Sequence, residues 1–444
     1  MSENMHFSIF IVMERKILSQ LLDWKKSKNK ECLLVKGARQ IGKTHIIEEF
    51  GKKCYKSAVT LNFFENPGLK EIFTRELSAD EILKSMSLRL INFKLIEHQT
   101  LIFLDEIQEC PQARTALKFL AQDSRFDCIA SGSMLGISYK ELASVPVGYE
   151  MQLDMFSMDF EEFLWAKGID KNLIEHIKSF YLDKKKVPFD MNETMFKYLK
   201  EYMIVGGMPE VVKTFVETGN FTEVHKVQQK ILASYLDDIA KYASVPEKPK
   251  ARSSFLSIPK QLAKENKKFQ FSLVEKGGSA RKYENSLEWL RDAGLIKFCE
   301  NVSLPVFPLN AYSKGNWFKI YLMDIGMLTA MYGFEMKQAI MENSLSGPAK
   351  GGIYENLIAD ILSKKNIPLY FYKPENNAQE IEFLLTQKTS VIPVEVKSGN
   401  NATISLNKFL EEFKPPFGIK FITGNLGVAG NKVTLPLYMA AFFR

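Results

Sequence analysis

Residues 32–44 read CLLVKGARQIGKT. The apolar run from Cys32 to Val35 suits a buried strand. The next eight residues, Gly37-Ala38-Arg39-Gln40-Ile41-Gly42-Lys43-Thr44, match G-x-x-x-x-G-K-[ST] in full. Glycines let the backbone curl so that successive N–H groups face phosphate oxygens. A helix opening at Lys43 adds the partial positive charge of its N-terminus. Lys43 is then placed to reach β- and γ-phosphates, and the Thr44 hydroxyl is the expected magnesium ligand. The stretch predicts a cradle for ATP with Mg2+ built from all eight residues.

Working outward, residues 14–30 carry Ile17, Leu18, Leu21, Leu22 and Trp24 at helical spacing. Apolar strands are expected at Ala58–Phe63, Thr100–Leu104 and Asp127–Ala130, with an alternating one at Tyr149–Met155 and helical segments between them. This β-α alternation predicts an α/β fold, a parallel sheet covered on both faces. The strand at 101–104 ends in Asp105-Glu106. Asp105 is the candidate to hold magnesium, and Glu106 the candidate to polarise the attacking water for in-line displacement at the γ-phosphate. The Asp127–Ala130 strand runs into Ser131-Gly132-Ser133, and Ser133 is the candidate γ-phosphate sensor.

Composition excludes several classes. Charged residues make up 25% and hydrophobic residues 46%, a globular balance. The five cysteines (32, 54, 110, 128, 299) form no C-x-x-C pair, which argues against a disulfide framework or a cysteine zinc site and suits a reducing cytoplasm. The five histidines (6, 45, 98, 176, 225) lack metal-cluster spacing. No apolar run approaches the roughly 18 residues of a membrane span, so no membrane partner is expected. The net charge is +7, and residues 248–300 hold twelve Lys/Arg against six Asp/Glu. That concentration predicts a patch for an anionic polymer, with DNA as the expected partner of residues 250–300.

Four units follow from the pattern. Residues 14–160 form the phosphate-loop core. Residues 161–245 are helical and aromatic, interrupted by Gly206-Gly207-Met208-Pro209, and read as a helical lid. A proline- and charge-rich linker at 244–250 leads to residues 250–333. Their order of helix, short extended stretch (Phe269–Val274), helix and hairpin resembles a winged helix-turn-helix, with Arg281 and Lys282 at the start of the groove-facing helix. Lys264, Lys267 and Lys268 are its expected phosphate contacts. Residues 345–444 form a last α/β unit.

In that unit Glu355 lies on a helix, Glu380 and Glu382 open a strand, and Glu395 and Lys397 lie on the next. Alternation puts Glu395 and Lys397 on one face. Acids on adjacent strands with a lysine suit a metal-dependent nuclease, in which acids hold the cation and the lysine orients water. The set Glu355, Glu382, Glu395 and Lys397 is the expected second metal site and is similar to the PD-(D/E)xK pattern. It departs from that pattern in having glutamate at 382, where such nucleases usually have aspartate.

GARQIGKT, IFLDEIQECPQARTALKFL (102–120) and IASGSML (129–135) closely resemble a prokaryotic family of predicted AAA+ ATPases. The likeness runs through VGGMPEVV (205–212) into the last hundred residues. The resemblance implies an ATPase core, a helical lid, a winged helix and a C-terminal domain of restriction-endonuclease-like fold. It also implies a homo-oligomer with an arginine finger, for which Arg39, Arg75, Arg89, Arg114 and Arg125 all remain open. Two alternatives stand beside an ATPase: an ATP-gated nuclease, and an ATP-locked switch without turnover.

Overall fold

The computed structural model describes residues 13–28, 30–90, 94–133, 148–375, 379–399 and 403–443, with Ser133 in its backbone alone. Helix α1 (Ile17–Lys26) precedes β1 (Cys32–Gly37), and the phosphate-loop segment leads into α2 (Lys43–Cys54). Then come β2 (Ser57–Asn62), α3 (Ala79–Arg89), β3 (Thr100–Asp105), α4 (Pro111–Asp123), β4 (Asp127–Ser133) and β5 (Glu150–Asp154). The strands form one sheet in the order β2-β3-β4-β1-β5, parallel throughout. Alternation explains its two-sided cover. Leu33, Val35, Leu101, Phe103 and Ile129 pack with Ile17, Leu21, Ile46 and Phe50 of α1 and α2. Cys32, Leu34, Ile102, Leu104 and Cys128 face the other way, onto Ile82, Met86, Ala113 and Leu117 of α3 and α4. This is the parallel phosphate-loop sheet expected from the sequence.

Five helices follow: α5 (Phe160–Ala166), α6 (Lys171–Asp183), α7 (Phe189–Val205), α8 (Pro209–Thr218) and α9 (Phe221–Tyr242). The break between α7 and α8 is sterically dictated. A Cβ on Gly207 would lie 1.9 Å from the Met158 carbonyl oxygen, and one on Gly206, at φ 75°, would lie 2.1 Å from Asp324 Oδ1.

Next are α10 (Lys248–Leu262), α11 (Phe271–Val274), α12 (Ala280–Asp292), β6 (Ile296–Val302) and β7 (Ser313–Leu322). Two expectations change here. Within Phe269–Val274 only the first two residues are extended, with the Phe269 N–H donating to the Phe318 carbonyl at 2.9 Å, and residues 271–274 form a helical turn. The Gln261 amide donates to the Gln270 carbonyl at 2.9 Å and accepts from its N–H at 3.0 Å, occupying the groups a strand neighbour would pair with. The linker is also helical from Lys248, with Pro249 in the first turn, where its missing N–H costs nothing.

The chain ends with α13 (Ile325–Tyr332), α14 (Phe334–Met341), α15 (Gly347–Ser363), β8 (Tyr370–Tyr372), β9 (Ile381–Gln387), β10 (Ser390–Val396), α16 (Ile404–Phe413), β11 (Gly418–Ile422), β12 (Gly427–Ala429) and β13 (Lys432–Pro436). A mixed eight-stranded sheet has the order β12-β13-β11-β10-β9-β8-β6-β7. The β6–β7 hairpin joins the C-terminal strands through parallel pairing of Glu300 and Asn301 with Tyr370 and Phe371. One sheet therefore crosses the 333/345 boundary drawn from the sequence. Among the described residues, no helix is long and apolar enough to cross a membrane.

Candidate functional site

Strand β1 delivers Gly37 to the sheet's C-terminal edge, and α2 begins at Lys43. Between them Gln40 has φ 64° and Gly42 φ 90°, a left-handed curl that a glycine adopts without strain. Gly37 is also pressed against β5's end: a Cβ there would lie 2.3 Å from the Met155 carbonyl oxygen. Lys43 is 6% exposed, and its Nζ donates to the carbonyls of Gly37 at 3.0 Å and Ala38 at 2.8 Å. Burial lowers its pKa to about 8; Glu106 and Asp105 oppose the shift, and Arg39 adds to it. An ammonium held by neutral carbonyls lacks a counter-anion, which is what a phosphate would supply.

Asp105 ends β3 and is 1% exposed. Its carboxylate accepts from Thr44 Oγ1 at 2.9 Å, Asn62 Nδ2 at 3.1 Å and Ser131 Oγ. Burial raises its pKa, while the Ser131 and Thr44 hydroxyls pull it back. Thr44 and Asp105, 61 residues apart in sequence, thus meet as a hydroxyl–carboxylate pair suited to magnesium. Glu106 follows at φ 53°, turned out of the strand, and accepts from the Gln108 amide.

The serine facing Asp105 is Ser131. Leu104 is level with Ala130 on the adjoining strand, so the next pair brings Asp105 beside Ser131. The Ser133 side chain lies outside the described residues. Asn62 was not singled out in the sequence, although it is level with Asp105 in the β2–β3 register. Arg15 was also missed. It is buried and braces the loop from outside, donating to the Ile41 carbonyl at 3.0 Å, the Phe156 carbonyl at 2.7 Å and Glu162 at 3.2 Å.

The open arginines find separate partners. Arg114 pairs with Glu150 at 3.1 Å in the interior, Arg89 with Glu71 at 2.5 Å, and Arg75 with Glu81 at 3.9 Å. Arg125 pairs with Asp123 at 2.6 Å, and Arg39 with Asp238 of α9 at 2.6 Å.

In the C-terminal unit, Lys397 brings Glu382 and Glu395 together at 3.0 and 3.4 Å. Burial raises the Glu382 pKa to about 7, with Lys397 pulling it down, and burial raises that of Glu395 as well. Glu355 is engaged differently from the expected metal ligand. It pairs with Lys267 at 3.0 Å and Lys319 at 3.2 Å, and accepts from the Tyr321 hydroxyl at 3.0 Å. Burial opposes its charge, but Lys319 and Lys267 outweigh that and hold its pKa low. Glu380 pairs with Lys319 at 2.5 Å and Lys373 at 2.8 Å. Among the described residues, no group of three or more His, Cys, Asp or Glu side chains is arranged to hold a metal ion. Of the expected second metal site, Glu382, Glu395 and Lys397 are brought together, whereas lysines from β7 and from the turn after α10 stand against Glu355.

Lys267 is accordingly not a free phosphate contact. Lys268 lies over the Trp317 ring at 4.6 Å, and Lys282 pairs with Glu275 at 2.5 Å. Arg252, Lys260, Lys264, Lys276 and Arg281 remain exposed.

With this geometry in place, comparison with known proteins adds the class. Residues 29–164 match the family model described as AAA domain. Residues 196–338 and 350–438 match two domains of unknown function, DUF8612 and DUF4143. The phosphate-loop core described above is thus the part of the chain that is similar to an AAA domain. The chain is 27% identical over 395 residues to the uncharacterized protein MJ1544 of Methanocaldococcus jannaschii, covering 84% of this chain and 76% of that protein. Among solved structures, the Walker-type ATPase PABY2304 of Pyrococcus abyssi is 13% identical, with TM-score 0.43, over 72% of this chain and 96% of that one. The Aeropyrum pernix ORC1 protein in complex with DNA is 12% identical, with TM-score 0.30, over 73% of this chain and 92% of that one.

Proposed function

We propose that the protein binds ATP with Mg2+ on residues 37–44 and hydrolyses it. The observation that carries this reading is the Thr44–Asp105 pair at 2.9 Å beside the loop, with Glu106 one residue beyond. Magnesium, when bound, would neutralise phosphate charge, and Thr44 and Asp105 would hold it. Lys43 would trade its two carbonyl partners for β- and γ-phosphate oxygens. Glu106, released from Gln108, would take the proton of the attacking water, and Ser131 would fix Asp105. Residues 161–245 act in this reading as a lid over the 14–160 core.

The unit at 250–333 is read as a winged helix that faces DNA. The order α10-α11-α12-β6-β7 and the exposed Arg252, Lys260, Lys264, Lys276 and Arg281 support this. The 345–444 unit is read as nuclease-like, and the cluster in which Glu382 and Glu395 share Lys397 supports this, while the lysines paired with Glu355 favour a docking role over cleavage.

Phosphate release from ATP, measured with and without duplex DNA, tests the reading. Lys43→Ala should abolish tight ATP binding. Glu106→Gln should bind ATP normally and turn over at least about 10²-fold more slowly, as for a lost general base. Equal loss of affinity in both variants would remove Glu106 from the role of base.

A further inference from the structure

Helix α9 grips the phosphate loop through four side chains on one of its faces. Asp238 accepts from Arg39 Nη1 at 2.6 Å, and the Tyr242 hydroxyl accepts from Arg39 Nη2 at 2.8 Å, with the guanidinium 5.0 Å from the Tyr242 ring centre. The Tyr235 hydroxyl donates to the Arg39 carbonyl at 3.1 Å, and Ser234 Oγ accepts from Gln40 at 2.8 Å. The same Tyr242 hydroxyl donates to Glu109 at 3.4 Å, three residues past Glu106. The last two turns of one helix thus tie the phosphate loop to the acidic loop.

The grip is incomplete on both sides. Arg39 Nε and Asp238 Oδ2 are each buried without a hydrogen-bond partner. An arginine fork and a carboxylate can make two parallel bonds, and this pair makes one. Burial disfavours the charge of Lys43 most, with Arg39 adding to it against Glu106 and Asp105, and burial disfavours that of Asp238 most, with Glu106 and Asp237 adding to it against Arg39 and Lys241. A polyphosphate entering the loop would offer Arg39, with its unpartnered Nε, a second anion in place of Asp238.

We propose that Arg39–Asp238 is a nucleotide-responsive latch: bound triphosphate takes Arg39 from Asp238 and releases the C-terminal half of α9. The inference rests on the ATP-binding reading above. Its consequence is directional. The nucleotide-free protein holds α9 down, and ATP affinity is reduced by the fraction of molecules that remain latched. The released segment, 234–242, leads directly through residues 243–247 into α10 and the basic unit, so the latch connects phosphate occupancy to the surface proposed to meet DNA. Arg39 is then a phosphate-sensing residue that acts through a helix rather than on a neighbouring subunit.

Hydrogen exchange on the full-length protein, with ATP binding measured by equilibrium dialysis in the same samples, tests the latch. With ATP and Mg2+, amides at 234–242 should exchange several-fold faster than without nucleotide. Asp238→Asn keeps the side chain's shape and removes its charge. It should show the faster exchange without nucleotide and bind ATP about tenfold tighter, within the usual range of such couplings. Tyr242→Phe should move both readouts the same way by less. If ATP binds the wild type and 234–242 becomes equally or more protected, or if Asp238→Asn gains no affinity, the latch is wrong while ATP binding stands. If the wild type binds no ATP, the functional reading itself fails and the latch falls with it.

Discussion

At the scale of single residues, Lys43 carries a consequence that can be measured through pH. Its pKa lies near 8 in the folded, nucleotide-free protein, against 10.5 ordinarily. Folding therefore releases a proton between those values. Burial of this charge costs stability in full below pH 8, on the order of 3 kcal/mol. That cost fades as pH rises from 8 to 10.5, so this group makes the free protein more stable with rising pH in that window. On the ATP-binding reading proposed above, bound nucleotide would reverse the balance, because phosphate oxygens would restore the ammonium. Binding should take up close to one proton at pH 9 and about a tenth of one at pH 7. Affinity should weaken as pH climbs above 8. Calorimetric titration in two buffers of different ionisation heat reads the proton count directly. No uptake at pH 9 would mean that Lys43 stays charged without nucleotide.

At the scale of elements, Lys267 separates charge in the sequence from charge on the surface. Residues 248–300 hold twelve basic side chains, yet Lys267 is only 11% exposed in its side chain and paired with Glu355. If this unit meets DNA, Lys264→Ala and Arg281→Ala should each weaken binding and lower the salt slope by about one. Lys267→Ala should leave the slope unchanged and lower thermal stability, because Glu355 loses a buried partner. Salt-dependent binding isotherms for the three variants check this, and a reduced slope for Lys267→Ala would overturn the assignment. The contrast also shows what sequence pattern can reach. The phosphate loop was legible because eight consecutive residues fix it, and β3 because its apolar run ends in two acids. Asp238 and Tyr242 were not, since nothing local says that a helix 199 residues beyond Arg39 returns to that loop. The helical turn at 271–274 was missed because the Gln261 side chain, nine residues before Gln270, takes both backbone groups of Gln270 and ends the extended stretch there. The joined sheet was hidden for a related reason: it depends on two residue pairs between β6 and β8.

At the scale of the whole molecule, packing joins the phosphate-loop core, the helices of 160–242 and the C-terminal sheet. One apolar cluster runs from Ile17 through Tyr202 and Leu328 to Phe442. Its polar counterpart is centred on Asp324, which is fully buried just beyond β7. Oδ1 accepts from the N–H groups of Gly326 at 3.0 Å and Met327 at 3.3 Å, capping α13. Oδ2 accepts from the Gly207 N–H at 2.8 Å and Ser157 Oγ at 2.8 Å, reaching the α7–α8 break and the core. Lys364 of the last unit stands 3.6 Å away. Every partner of this carboxylate is a donor, so both oxygens must accept. Asparagine offers one accepting oxygen, and either flip of its amide turns NH2 toward a donor. Asp324→Asn should therefore lose either the cap or the Gly207–Ser157 link and cost about 2–3 kcal/mol, as expected for a buried charged partner removed. Of the two, only the Gly207–Ser157 link crosses between units, so the amide orientation that loses it is the one that uncouples them. Calorimetry should resolve one transition in the wild type and two in Asp324→Asn, with the phosphate-loop core and the eight-stranded sheet melting apart. A single transition at an unchanged midpoint would show that apolar packing alone couples the units and that Asp324 is only a helix cap.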